Sequence, residues 1–334
     1  MMERNTFLDF LKGIAIFLVV LGHAYLLCMG KRTEVFELLT RFHMPFWFML
    51  SGFMAYRLKE RNWLISIKKK GVSLLIPFIS CGTFYAFTFD AFDRYLFDAF
   101  HAGYWFLLSL FICWVFFIPF LKLSELLPNK LNGGGRICLL FVILMTPFFI
   151  GKIFEERIGG NLFLGMSLSY YRFLVLGYFI GEFLRVPSKA RSVLQKDNYS
   201  ALGVLCFILF IVTTICYFKH VEWIETVPFT LMQIVLCISF MGFIYCYKQY
   251  MKPSLCSLVE LVGRKSLVIY CFHYFIIYPI RLESVATLQN TSEGVLFLAA
   301  FSLSVVVIAL TLFVASPIEN NKYLKLIFLG KGFK

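Results

Sequence analysis

The chain has 334 residues, of which 60% are hydrophobic and only 15% charged, with a mean hydropathy of +0.79. A soluble domain carries about 25% charged residues, so this composition excludes a soluble enzyme and indicates a polytopic membrane protein, one unit over residues 1–334 without a separate soluble module. The formal net charge of +13 follows from membrane topology, as set out below, and needs no nucleic-acid partner.

Hydropathy predicts an all-α bundle of about ten transmembrane helices, roughly 7–28, 42–56, 72–89, 103–121, 137–151, 162–184, 200–218, 227–247, 266–280 and 295–315. The fifth and ninth are short and are expected to be broken, tilted or extended into their flanks. The first carries Lys12 and His23, eleven residues apart, which at 3.6 residues per turn puts both on one face about 16 Å apart. A cation inside a bilayer costs about 2.5–3.5 kcal/mol on insertion scales, so this face is expected to line a polar interior. Lys12 is alternatively a snorkelling partner of Asp9 one turn away.

His43 is expected to begin the second helix, with Pro45 just inside it and the small pair Ser51 and Gly52 near its end. A basic loop, 57–70, follows and includes Lys68, Lys69 and Lys70. Trp105 opens the fourth helix. Gly133, Gly134 and Gly135 read as a flexible connector, since no strand precedes them to make a phosphate-binding fingerprint. Arg172 lies midway along the sixth helix beside Tyr170 and Tyr171, and His273 lies within the ninth. Buried ionisable groups of this kind are paired, hydrated or functional. The ten cysteines form no CxxC pattern and read as small hydrophobes. The five histidines lack metal-ligand spacing, so no metal is expected.

Charge orients the bundle. With a cytoplasmic amino terminus, Arg4, the inner loops and the tail after 316 hold 22 of the 32 Lys and Arg, while eleven of the 19 acidic residues fall in outer loops. The positive-inside rule therefore predicts that both termini are cytoplasmic.

Four segments together resemble a known family. Residues 4–23 (RNTFLDFLKGIAIFLVVLGH), 42–53 (FHMPFWFMLSGF), 104–107 (YWFL) and 263–273 (GRKSLVIYCFH) occur in the order found in the acyltransferase-3 family of membrane acyltransferases. They are most similar to its short, fucose 4-O-acetylase-like sugar O-acetylases. The resemblance covers most of the chain, although residues 130–250 match in hydropathy alone. It implies transfer of an acyl group, usually acetyl from acetyl-CoA, to a hydroxyl of a saccharide or lipid-linked saccharide at a bacterial-type inner membrane. The family's first-helix pattern is a basic residue, usually Arg, ten residues, then His. Here Lys12 stands for the Arg, which keeps the charge and loses the bidentate fork. The family's Arg-Arg-x-x-Arg pattern before helix three becomes Lys69, Lys70 and Ser73.

The chemistry can also be argued directly. Acyl transfer from a thioester to an alcohol needs a base for the hydroxyl proton, and imidazole suits it with an unperturbed pKa near 6.5. His23 is the expected catalytic base. Lys12, Lys69 and Lys70 are the expected donor-binding residues, since CoA carries several phosphates. Ser51, Trp105, Arg172, His273 and His43 are expected to line the substrate site, some as donors to the oxyanion. Two other readings remain at this stage: a secondary transporter using the buried Lys, His and Arg, and a membrane scaffold or sensor.

Overall fold

A computed structural model describes residues 5–30, 33–58, 62–126, 133–158, 162–185, 198–218, 229–280 and 291–331. Among these residues there is no β-strand, and thirteen α-helices account for most of the chain. In chain order they are α1 (Thr6–His23), α2 (Glu34–Phe53), α3 (Trp63–Thr88), α4 (Phe92–Phe97), α5 (Trp105–Leu123), α6 (Gly133–Ile158), α7 (Leu162–Arg185), α8 (Asn198–Phe218), α9 (Phe229–Tyr247), α10 (Pro253–Arg264), α11 (Ser266–Ile277), α12 (Glu293–Asn320) and α13 (Lys322–Leu329). Seven segments are long and apolar enough to cross a membrane, and residues 200–216 and 266–277 form shorter apolar helices. Large apolar side chains such as Phe87, Phe183 and Phe313 stand exposed along them, as lipid-facing surface requires. The protein is a helical membrane bundle.

Contacts divide the chain into two compact units, Met1–Leu50 with Arg185–Val314, and Ser51–Leu184 with Ala315–Lys334. In the first unit α1 packs on α10 through glycines. A Cβ on Gly13 would lie 2.1 Å from the Val259 carbonyl oxygen, and one on Gly263 would lie 1.7 Å from that of Asp9. Backbones this close permit only glycine at the crossing. The same unit pairs α8 with α9, where Gly203 meets the Tyr247 ring and Phe207 stacks near Phe243 at 5.2 Å. Pro45 sits inside α2 without an N–H to give the carbonyl of Arg41, four residues back. Gln233 of α9 fills that place: its Nε2 donates to the Arg41 oxygen at 2.8 Å. In a bilayer such a carbonyl has no water to turn to, so this exchange lets α2 carry its proline.

The second unit is built on α3, α5, α6 and α7. Its tightest crossing joins the end of α2 to α7, where a Cβ on Gly52 would lie 1.9 Å from the Leu174 carbonyl oxygen and one on Gly181 2.0 Å from that of Phe53. The helix α13 closes against α3: the Cys81 thiol reaches the Phe328 carbonyl at 3.4 Å, and Gly330, at a φ of 57°, turns the chain against Val72.

Several expectations are corrected. The basic loop 57–70 is helical from Trp63, because Asn62 caps α3 by accepting hydrogen bonds from the N–H groups of Leu64 and Ile65. Lysines 68, 69 and 70 therefore sit on a helix. The glycine run opens α6 instead of forming a connector, and α2 begins at Glu34, so His43 is in mid-helix. The tail after 316 is not a loop, since α12 runs on to Asn320 and α13 follows. The short ninth span is broken and extended as expected: it is the second half of a broken helix, α10 then α11, parted at Lys265.

Candidate functional site

His23 ends the α-helical part of α1, and the chain then widens into one π-helical turn, Ala24–Cys28. Such turns shift the face that the following residues present and recur at functional sites. This one is tied to the end of α11 by the Cys28 thiol, 3.6 Å from the Ile277 carbonyl oxygen. The glycine crossing of α1 on α10, the break at Lys265 and this thiol contact together set α11 beside His23.

Two residues of α11 meet it there. The Tyr274 hydroxyl lies 2.8 Å from His23 Nε2, and the His273 ring centroid lies 5.3 Å from that of His23. His273 is fully enclosed, at 0% exposure. Its Nδ1 lies 2.8 Å and 2.9 Å from the carbonyl oxygens of Ile269 and Tyr270, and because carbonyls only accept, Nδ1 carries the ring proton. The lone pair is thus on Nε2, which has no hydrogen-bond partner among the described residues. A buried acceptor left open in this way is costly unless a ligand completes it. His43, also buried, donates from Nδ1 to the Leu39 carbonyl. Lys12 is half-buried on α1, one turn from the buried Asp9. Lys12, His23, His43 and His273 thus belong to one unit.

The remaining expected site residues belong to the other unit. Trp105 opens α5 after three consecutive residues at positive φ, His101 at 44°, Ala102 at 50° and Gly103 at 99°. Two of these are not glycine, and backbone held this way is stored strain that recurs at functional sites. His101 is fixed by an Nδ1 contact of 2.8 Å to the Tyr95 carbonyl. The Trp105 ring meets Tyr170 at 5.5 Å. Arg172 lies two residues on; its guanidinium sits over the rings of Phe173 at 5.2 Å and Phe148 at 5.7 Å, and its buried Nε has no hydrogen-bond partner among the described residues. Its sequence-suggested partner Glu182 makes no ion pair with it among the described residues. Ser51 precedes Gly52, and so stands at the crossing with α7 two residues from Arg172. Lys70 holds its ammonium 3.7 Å above the ring of buried Trp114, while Lys69 is exposed.

Sequence reasoning missed Tyr274. The available signal was a phenol beside His273 inside an otherwise apolar stretch of α11. All ten cysteines are free, and among the described residues no three His, Cys, Asp or Glu side chains group as a metal site.

The fold is that of an integral membrane protein, with two histidine rings and a phenol gathered inside one of its units. The chain belongs to the acyltransferase-3 family: the family's profile, described as an acyltransferase domain, matches residues 5–315. That membership does not favour the transporter reading. Over 84 residues the chain is 33% identical to the nodulation protein NolL of Sinorhizobium fredii (strain NBRC 101917 / NGR234), an alignment covering 23% of each protein. The chain thus spans less than a quarter of that curated relative's length. No solved structure matches it.

Proposed function

We propose that the protein moves an acetyl group from cytoplasmic acetyl-CoA to a hydroxyl of an envelope saccharide or lipid-linked saccharide at a bacterial-type inner membrane, with His23 as the base. The observation that carries this reading is the pairing of His23 Nε2 with the Tyr274 hydroxyl beside the open Nε2 of His273. The site then offers two neighbouring acceptors for hydroxyl protons. A polyol such as a sugar can supply two adjacent hydroxyls, one to react and one to be held, and a simple alcohol supplies only one. His273 binds the second hydroxyl in this account.

Within the other unit, Trp105 and Tyr170 form an aromatic face of the kind on which sugar rings stack, and Arg172 and Ser51 are that unit's candidate donors. Exposed Lys68 and Lys69, beside Lys70, give point charges suited to the phosphates of CoA, and Lys12 is a separate donor-site candidate in its own unit. The cytoplasmic side follows from the positive-inside pattern and from where acetyl-CoA is made.

The test is label transfer from radiolabelled acetyl-CoA by the purified protein in nanodiscs, supplied with a native lipid and saccharide extract. Transfer by wild type and its loss in His23→Ala, with folding intact, is the expected result. Full transfer by His23→Ala sinks the assignment of the base, and no transfer by wild type sinks the acetyl-transfer reading.

A further inference from the structure

His23 Nε2 is not open: the Tyr274 hydroxyl occupies it at 2.8 Å. For His23 to take a proton from substrate through that nitrogen, the phenol must either leave or take part. The tyrosine sits on the same helical turn as His273, with the two rings 4.1 Å apart, and on a helix whose position is fixed by the glycine crossing and the Cys28 contact. The Tyr274 ring is enclosed there, at 3% exposure. Imidazole nitrogen is also the better acceptor and phenol the better donor of the pair. The relay requires the phenol proton to be the one donated in this bond, to an Nε2 without a hydrogen, so that the phenol oxygen can accept in its turn.

We infer that Tyr274 is a catalytic residue that relays the proton, touching the acceptor hydroxyl itself while His23 acts through it. This rests on the proposed acetyl transfer. As the acceptor oxygen attacks the thioester carbonyl carbon, its proton passes to the Tyr274 oxygen and the Tyr274 proton passes to His23 Nε2. The new C–O bond forms and the carbonyl oxygen takes the negative charge. On collapse the C–S bond breaks, and the CoA thiolate leaves with the proton returned from His23 by the same path. The sum is an ester and a free thiol, with no net change in the protein. Because both transfers run together, tyrosine never has to hold a full negative charge, which its reference pKa near 10 would oppose.

The experiment compares Tyr274→Phe with wild type in the label-transfer assay at saturating acetyl-CoA, in mixtures of light and heavy water. The relay predicts that Tyr274→Phe loses about 10²-fold or more in rate, with an unchanged melting point. It predicts a curved dependence on deuterium content in wild type, as two protons move together, and a linear one in the variant. It also predicts that His23→Ala with Tyr274→Phe is no slower than His23→Ala alone, since members of one chain of transfers are not additive. Nitrogen NMR of labelled histidine in wild type is expected to find His23 Nε2 without a proton. A Tyr274→Phe rate within about threefold of wild type overturns the relay, as does a loss matched by a fall in melting point or a proton found on Nε2. Should His23→Ala alone be fully active, it is the assignment of the base that fails; a crippled His23→Ala beside an active Tyr274→Phe leaves that assignment standing and removes only the relay.

Discussion

Gly263 lies so close to Asp9 that a Cβ would stand 1.7 Å from the Asp9 carbonyl oxygen, and this contact governs where α11 begins. Three residues later Ser266 starts the helix that carries His273 and Tyr274. Any side chain at 263 must push α10 off α1, and the push is passed on to the Tyr274–His23 hydrogen bond.

Gly263→Ala is therefore expected to destabilise the protein by about 1–3 kcal/mol, the range for overpacking, and to lower transfer more than donor binding. Gly22→Ala is the contrast. It is next to His23, yet a Cβ there meets nothing within 4 Å, so it is expected to fold as wild type does and to gain up to about 1 kcal/mol of helix propensity. Thermal unfolding of the two variants in nanodiscs checks the pair. Equal melting points would show that the crossing is not the constraint described.

The open Nε2 of His273 gives the second prediction. His273→Phe keeps the ring volume and removes the acceptor. The KM for the saccharide is expected to rise about tenfold, the equivalent of one hydrogen bond at about 1.4 kcal/mol, while the KM for acetyl-CoA stays put. Steady-state kinetics with each substrate varied in turn decides it. A change confined to the donor KM would place His273 elsewhere in the reaction.

How far the sequence carried is clearest at individual residues. Each of the ten apolar runs has a helix in the structure, and seven of these are long and apolar enough to cross a membrane, because lipid demands a continuous apolar stretch. Their ends were less legible where charge interrupts the run but the helix continues. Glu34, Glu37 and Arg41 hid the start of α2, and Lys68, Lys69 and Lys70 hid that of α3. Hydropathy reports which segments lipid accepts, whereas Asn62 starts a helix by hydrogen bonding. Lys12 and His23 stood out as polar groups in an apolar run. Tyr274 did not, because its meaning comes from His23, 251 residues away, and from a π-turn that leaves no mark in composition.

Lys69 and Lys70 should separate. Lys70 covers the Trp114 face, so Lys70→Ala is expected to cost stability, on the order of 1 kcal/mol for a lost cation–π contact. Lys69 is exposed, and Lys69→Glu is expected to raise the KM for acetyl-CoA severalfold with little effect on melting. The effect on KM should shrink as salt rises from about 0.1 M to 1 M, where the screening length falls from about 10 Å to 3 Å. A salt-independent change would mean that the residue acts through structure instead of through charge.

Arg172 offers a test in which stability and activity should move in opposite directions. Its guanidinium sits over the faces of Phe148 and Phe173 within a membrane helix, where its charge is costly to desolvate. Removing such a charge commonly leaves stability unchanged or improves it, because desolvation outweighs what the charge gains. Arg172→Met is therefore expected to melt at or above the wild-type temperature. If the guanidinium meets substrate beside Trp105 and Tyr170, the same variant should lose at least tenfold in transfer, and Arg172→Lys should recover only part of it, since an ammonium lacks the planar fork. A variant that melts lower and transfers normally would make Arg172 a structural residue, its charge serving the aromatic packing alone.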